Sequence, residues 1–123
     1  MYKLIFVTKR KAGLSQEEYF QHYAEVHFPL ATAIPGLISY NQMPIVHGAW
    51  YGSDSFPDYD AVSEYTFESK EAADLAYASP EGIALNEDTG EFIDWDTVLT
   101  IPVEVNQSHT AAKHWVKNRV HQE

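Results

Sequence analysis

Apolar positions recur along this chain with two periods, and the switches between them lay out the elements. Tyr2 to Thr8 (YKLIFVT) is β-branched and aromatic with apolar residues on both faces, the pattern of a central strand. From residue 15 the period changes. Tyr19, Phe20, Tyr23, Val26, His27, Leu30 and Ala31 follow one another at steps of three and four, an apolar helix stripe. Ser15 and Glu18 form a capping box at its start, with Leu14 placed as a hydrophobic staple. Pro29 interrupts the stripe, so a kink or a break with restart is expected beside His27, and Phe28 is biased away from helical geometry. Pro35-Gly36 ends the segment as a turn.

Leu37 to Val46 reads as a second strand and Ala61 to Glu68 as a third, with Ala61, Ser63, Tyr65 and Phe67 sharing one face and Glu64 on the other. The intervening loop, HGAWYGSDSFPDY, is longer than a hairpin needs, and loops of this kind often carry function. Ser69 caps a helix over Glu71 to Ala78. Ser79 and Pro80 start another, which fades between Asn86 and Gly90. Thr97 to Val105 is a last strand with Leu99, Ile101, Val103 and Val105 on its apolar face.

The order βαββαβ is the ferredoxin-like α+β arrangement: a four-stranded antiparallel sheet of order 4-1-3-2 with helices on one face. Strands two and four are then the edges, which is where prolines are tolerated, and Pro44 and Pro102 fall on those two strands. One helical layer covers one sheet face only. The other requires cover, and a homodimer packed sheet against sheet is the simplest source. Residues 1–105 form the predicted domain, and 106–123 a C-terminal tail or arm with Trp115 and Val116 as its contacts.

Composition narrows the function classes. Across 123 residues the net charge is −10, and Lys3, Lys9, Arg10, Lys11 and Lys70 are the only cations before residue 106. An acidic body repels phosphate backbones, so nucleic-acid binding is not expected. No apolar run is long enough for a membrane span, and the N-terminus lacks signal-peptide order, which makes a cytoplasmic protein the expectation. The absence of cysteine removes thiolate nucleophiles and Cys-ligated metals. No dinucleotide, phosphate-loop, nucleophile-elbow or zinc-helix motif is present, no histidine is marked as a haem ligand, and neither a metal nor a cofactor is expected.

The residues present permit side-chain acid–base chemistry. His27, inward on a disturbed helix, is the candidate base or acid, set against the plainer reading of a satisfied core histidine. Glu64 is its candidate partner, set against a solvated or interface ion pair. Tyr23, Tyr40 and Tyr65 are candidate substrate-binding residues, and Trp50, Tyr51 and Trp95 candidate pocket walls.

Several spaced elements resemble the EthD family of the dimeric α+β barrel class. They are Lys9-Arg10-Lys11-x-Gly13-Leu14-Ser15-x-Glu17-Glu18, Phe20-x-x-Tyr23, His27-x-Pro29-Leu30 and Pro35-Gly36-Leu37-x-x-Tyr40. Tyr59-Asp60-x-Val62-x-Glu64 and Phe92-Ile93-Asp94 extend it more weakly. The family pattern usually has an aromatic where Ala24 stands here. The resemblance implies the fold and the dimer. It also implies that His27 matches the position regarded as catalytic in lactone-isomerase relatives. The activities it suggests are a cofactor-free isomerase or dehydratase acting on a small oxygenated cyclic or aromatic metabolite, a non-catalytic small-molecule-binding accessory protein of an oxygenase system, or a cofactor-free monooxygenase.

Overall fold

The computed structural model describes residues 1–48 and 58–111, so Trp50, Tyr51 and the proposed tail contacts Trp115 and Val116 lie outside the described residues. Strands β1 (Tyr2–Thr8), β2 (Ser39–Pro44), β3 (Ala61–Phe67) and β4 (Leu99–Glu104) form one antiparallel sheet in the order β2-β3-β1-β4, the expected topology. Pro44 and Pro102 sit in the two edge strands, where a missing N–H breaks no interior ladder. Helices α1 (Gln16–His22), α2 (Phe28–Thr32), α3 (Lys70–Ala78) and α4 (Pro80–Phe92) supply the helical layer.

Register assigns every strand residue to a face. Tyr2, Leu4, Phe6 and Thr8 of β1 lie opposite Phe67, Tyr65, Ser63 and Ala61 of β3, and this face meets the helices. The core on it is largely aromatic, with Phe6 edge-on to Tyr65 and Tyr65 against Tyr40 and Tyr77. On the opposite face Ile5 pairs with Ile101, Val7 with Leu99 and Lys3 with Val103. The apolar side of β4 is therefore turned away from the helices, and Leu99 and Ile101 are 41% and 44% exposed.

The long N-terminal helix starts as predicted. Ser15 and Glu18 complete a reciprocal capping box, each side chain bonding the other's backbone N–H. The distortion expected beside His27 is present, but not as a break with restart. The chain neither breaks nor restarts: His27 and Phe28 keep right-handed helical angles, and the helix widens upstream into a π turn over Tyr23–His27. The Phe28 N–H bonds the carbonyl of Tyr23, five residues back. A wider turn is one way to relieve the crowding of the proline ring against the Glu25 carbonyl while keeping the chain helical. Gln42 of β2 braces this turn by donating its amide to the same Tyr23 carbonyl at 2.7 Å.

The π turn decides which residues face inward. Tyr19, Tyr23, His27 and Ala31 are all buried at steps of four. In an uninterrupted α-helix each such step drifts by about 40°, and the wider turn offsets that drift. Val26 and Phe28, one of which the stripe placed inside, are each 43% exposed.

Helix α4 overruns its predicted end and continues to Phe92. Tertiary contact overrides the weak helix propensity of Asn86 to Gly90. Phe92 is buried among Tyr19, Tyr23, His22 and His27, and the Trp95 indole packs where a Cβ on Gly90 would sit. Ser79 ends α3 and caps α4 by accepting from the Gly82 N–H. Among the described residues no helix is long and apolar enough to cross a membrane.

Candidate functional site

His27 is 4% exposed, on the face of the π turn that packs against α4. Its Nδ1 lies 2.8 Å from Oδ2 of Asp88, and the other oxygen of that carboxylate lies 2.8 Å from Nε2 of His22. An ionised carboxylate only accepts, so both rings donate to it: His27 through Nδ1–H and His22 through Nε2–H. This fixes the His27 tautomer and leaves Nε2 as the ring atom with a free lone pair. Burial lowers the His27 pKa from its ordinary value of 6.5. The hydrogen bond and charge of Asp88 oppose that effect, and His22 adds a smaller downward push. The neutral imidazole is thus favoured near pH 7.

His27 lines a partly open cavity bounded by the sheet, α3 and α4. The sheet contributes Phe6, Thr8, Ser63 and Tyr65, α3 contributes Tyr77, and α4 contributes Leu85, Asn86 and Thr89. Ile93, Trp95 and Val98 close it beyond the end of α4. The volume open to the centre of a water molecule is about 40 Å³. Among the described residues no Lys or Arg lines it.

A polar network stands beside the cavity. The Tyr23 hydroxyl is 2.5 Å from Ser63 Oγ, and Gln42 donates to the Tyr40 hydroxyl at 2.9 Å. Tyr19 and Thr8 share a buried hydrogen bond of 2.8 Å. Burial raises the pKa of Tyr23, Tyr40 and Tyr65, so all three stay neutral phenols.

The structure redistributes the residues expected from the sequence. His27, Tyr65 and Trp95 line the cavity. Tyr23 and Tyr40 stand one contact behind it, through Ser63 and Tyr65. Trp50 lies outside the described residues. The pairing of His27 with Glu64 is overturned. Glu64 alternates with Ser63 and Tyr65 along β3, so its side chain leaves by the far sheet face, where it bonds Lys3 at 3.0 Å and Asn41 at 3.1 Å. Asp88 holds His27 instead. Sequence reading missed Asp88 because the helix was ended too early; extended to Phe92, the spacing Leu85, Asp88, Thr89, Phe92 is an inward stripe with a carboxylate in it. Asp60, which precedes β3, is buried and accepts from both the backbone and the guanidinium of Arg10 at 2.8 Å, pinning the basic turn to β3.

Comparison with known proteins agrees with this architecture. An EthD family protein from Bacillus halodurans superposes with a TM-score of 0.72 at 25% identity, over 85% of this chain and 98% of that one. A hydroxynitrile lyase from Passiflora edulis gives 0.69 at 15% identity, over 89% and 96%. A dimeric ferredoxin-like protein of unknown function from Thermobifida fusca gives 0.66 at 12%, over 85% and 90%. At these last two identities the likeness is one of fold. No curated protein matches the sequence. The EthD domain model matches residues 11–96, a span holding the capping box, the π turn, His27 and Asp88, and the chain belongs to the EthD family.

Proposed function

We propose that this protein is a cofactor-free proton-transfer enzyme, of isomerase or dehydratase type, acting on a small oxygenated cyclic or aromatic metabolite. The observation that carries the reading is the Asp88–His27 pair at 2.8 Å, with the imidazole lining a partly open, largely apolar cavity. Asp88 sets the tautomer, and His27 Nε2 takes a proton from a carbon next to a carbonyl. The carboxylate then stabilises the imidazolium, as in other histidine–carboxylate couples. In an isomerisation the proton returns to a different atom of the same enolate. In a dehydration it goes to the departing hydroxyl, which leaves as water while the carbon–carbon double bond forms. Either sequence closes without an electron donor or acceptor.

The same reading includes a homodimer built sheet to sheet. Its support is the far sheet face, where Ile5, Met43, Val62, Leu99, Ile101 and Val103 form an apolar surface around the Lys3–Glu64 ion pair. The fold is also that of a dimeric relative in Thermobifida fusca.

The test is α-hydrogen exchange in D2O, followed by NMR on small cyclic ketones and lactones. The wild type accelerates exchange above buffer, and His27→Gln removes on the order of a hundredfold or more of that acceleration. The rate also falls as pH drops through the His27 titration. Retained exchange in His27→Gln, or a pH-independent rate, would overturn the role of His27. Binding of these compounds without exchange would favour a non-catalytic binder.

A further inference from the structure

We infer that the hydroxyl of Tyr77 is a ligand-binding donor of this cavity, and that the ligand is a neutral compound presenting a carbonyl oxygen. The inference names the substrate class of the site proposed above and rests on that reading. Tyr77 projects from α3 and lines the cavity together with His27. Its hydroxyl is buried and, among the described residues, has no hydrogen-bond partner. The contrast with the neighbouring hydroxyls is the argument. Tyr19 is bonded to Thr8, Tyr23 to Ser63 and Tyr40 to Gln42. A buried hydroxyl is normally satisfied, and an orphan is costly unless something else supplies the partner. The rings around it hold it in place, with Tyr65 and Phe67 both 6.1 Å away between centroids.

The walls define the ligand's chemistry. Phe6, Leu85, Ile93 and Val98 are apolar, and among the described residues no cation lines the cavity, so a carboxylate or phosphate entering it would be desolvated without a counter-charge from them. A neutral carbonyl compound loses little on entry and gains the phenolic donor. Burial keeps Tyr77 protonated, its pKa raised above the ordinary 10, so the hydroxyl donates throughout the physiological range.

Tyr77→Phe removes the oxygen and nothing else. Because that oxygen has no internal partner to orphan, the variant folds with an unchanged melting temperature, which separates a ligand role from a structural one. The probes are cyclohexanone and methylenecyclohexane, nearly equal in shape but differing in the acceptor oxygen, with cyclohexanecarboxylate as the anion; binding is read by ligand-observed NMR. Wild type prefers cyclohexanone to methylenecyclohexane by roughly five- to tenfold, the size of one buried hydrogen bond, Tyr77→Phe erases the preference, and the carboxylate does not bind. Equal preference in wild type and variant overturns the inference, as it would if the hydroxyl served only a resident water. Failure of wild type to bind cyclohexanone, or tighter binding of the carboxylate, also overturns it. The two readings fail separately. If the preference depends on Tyr77 but cyclohexanone undergoes no α-exchange, the proton-transfer reading falls and this one stands; if exchange depends on His27 but not on Tyr77, the reverse holds.

Discussion

Replacing Asp88 by Leu should expose how much of the site depends on one carboxylate. Asp88 accepts two ring N–H bonds of 2.8 Å, but their surroundings differ: the His27 side chain is 5% exposed and that of His22 27%. His22 can exchange its lost partner for water, so its contribution is small after solvent screening. His27 has no such recourse. Leaving a buried N–H without an acceptor costs about 2 kcal/mol, and the near-isosteric leucine offsets part of that by its own burial. For a chain of this length the net loss corresponds to a melting temperature lower by about 5 °C. Asp88→Asn keeps an acceptor oxygen without the charge and should fall between the two. The second readout is the imidazole itself. Asp88 supplies the contributions that oppose burial at His27, so its titration must move further down in Asp88→Leu, and less in Asp88→Asn. Calorimetry and NMR titration of the His27 ring measure both quantities. An Asp88→Leu protein that melts within 1 °C of wild type, with His27 titrating at an unchanged pH, would refute the argument that this pair organises the site.

Three further outcomes follow from the same geometry. Because burial depresses the His27 pKa, the unfolded chain takes up a proton that the folded chain resists. Stability from this residue is therefore complete above about pH 6.5 and is lost as pH falls through the lower folded value, and His27→Gln should flatten that limb of a pH–melting curve. Gly82→Ala places a Cβ 2.3 Å from the Ala76 carbonyl oxygen, forcing α3 and α4 apart; a loss of about 1–3 kcal/mol or more in urea unfolding is expected, and an unchanged midpoint would contradict the close packing. Ile101→Lys puts a charge on the open sheet face, 44% exposed in the single chain, so sedimentation should give a dimer for wild type and a folded monomer for the variant, while a dimer in both would argue against the sheet-to-sheet interface.

The fold was readable because its signals are local and repeat in more than one form. The capping box Ser15/Glu18, the alternation of β3 and the two edge prolines each report on a different part of the topology and agree with one another. The site was half readable. His27 stood out by its place on the apolar stripe and by its match to the family pattern, and Tyr65 by the alternation of β3. Asp88 did not, because a carboxylate near the end of a weakly helical stretch looks like a solvated residue unless the helix is known to continue.

The sequence by itself determined the order of elements, the sheet they must form and the inward direction of His27, since periodicity, capping chemistry and proline tolerance are properties of neighbouring residues. Only the tertiary structure decided what His27 meets there. Phe92, buried among rings from the N-terminal helix, holds the last turn of α4 in place. That turn delivers Asp88 to the imidazole, while strand alternation sends Glu64 through the other face of the sheet. Which carboxylate meets the histidine is a question of long-range packing between segments some sixty residues apart, and no local pattern encodes it.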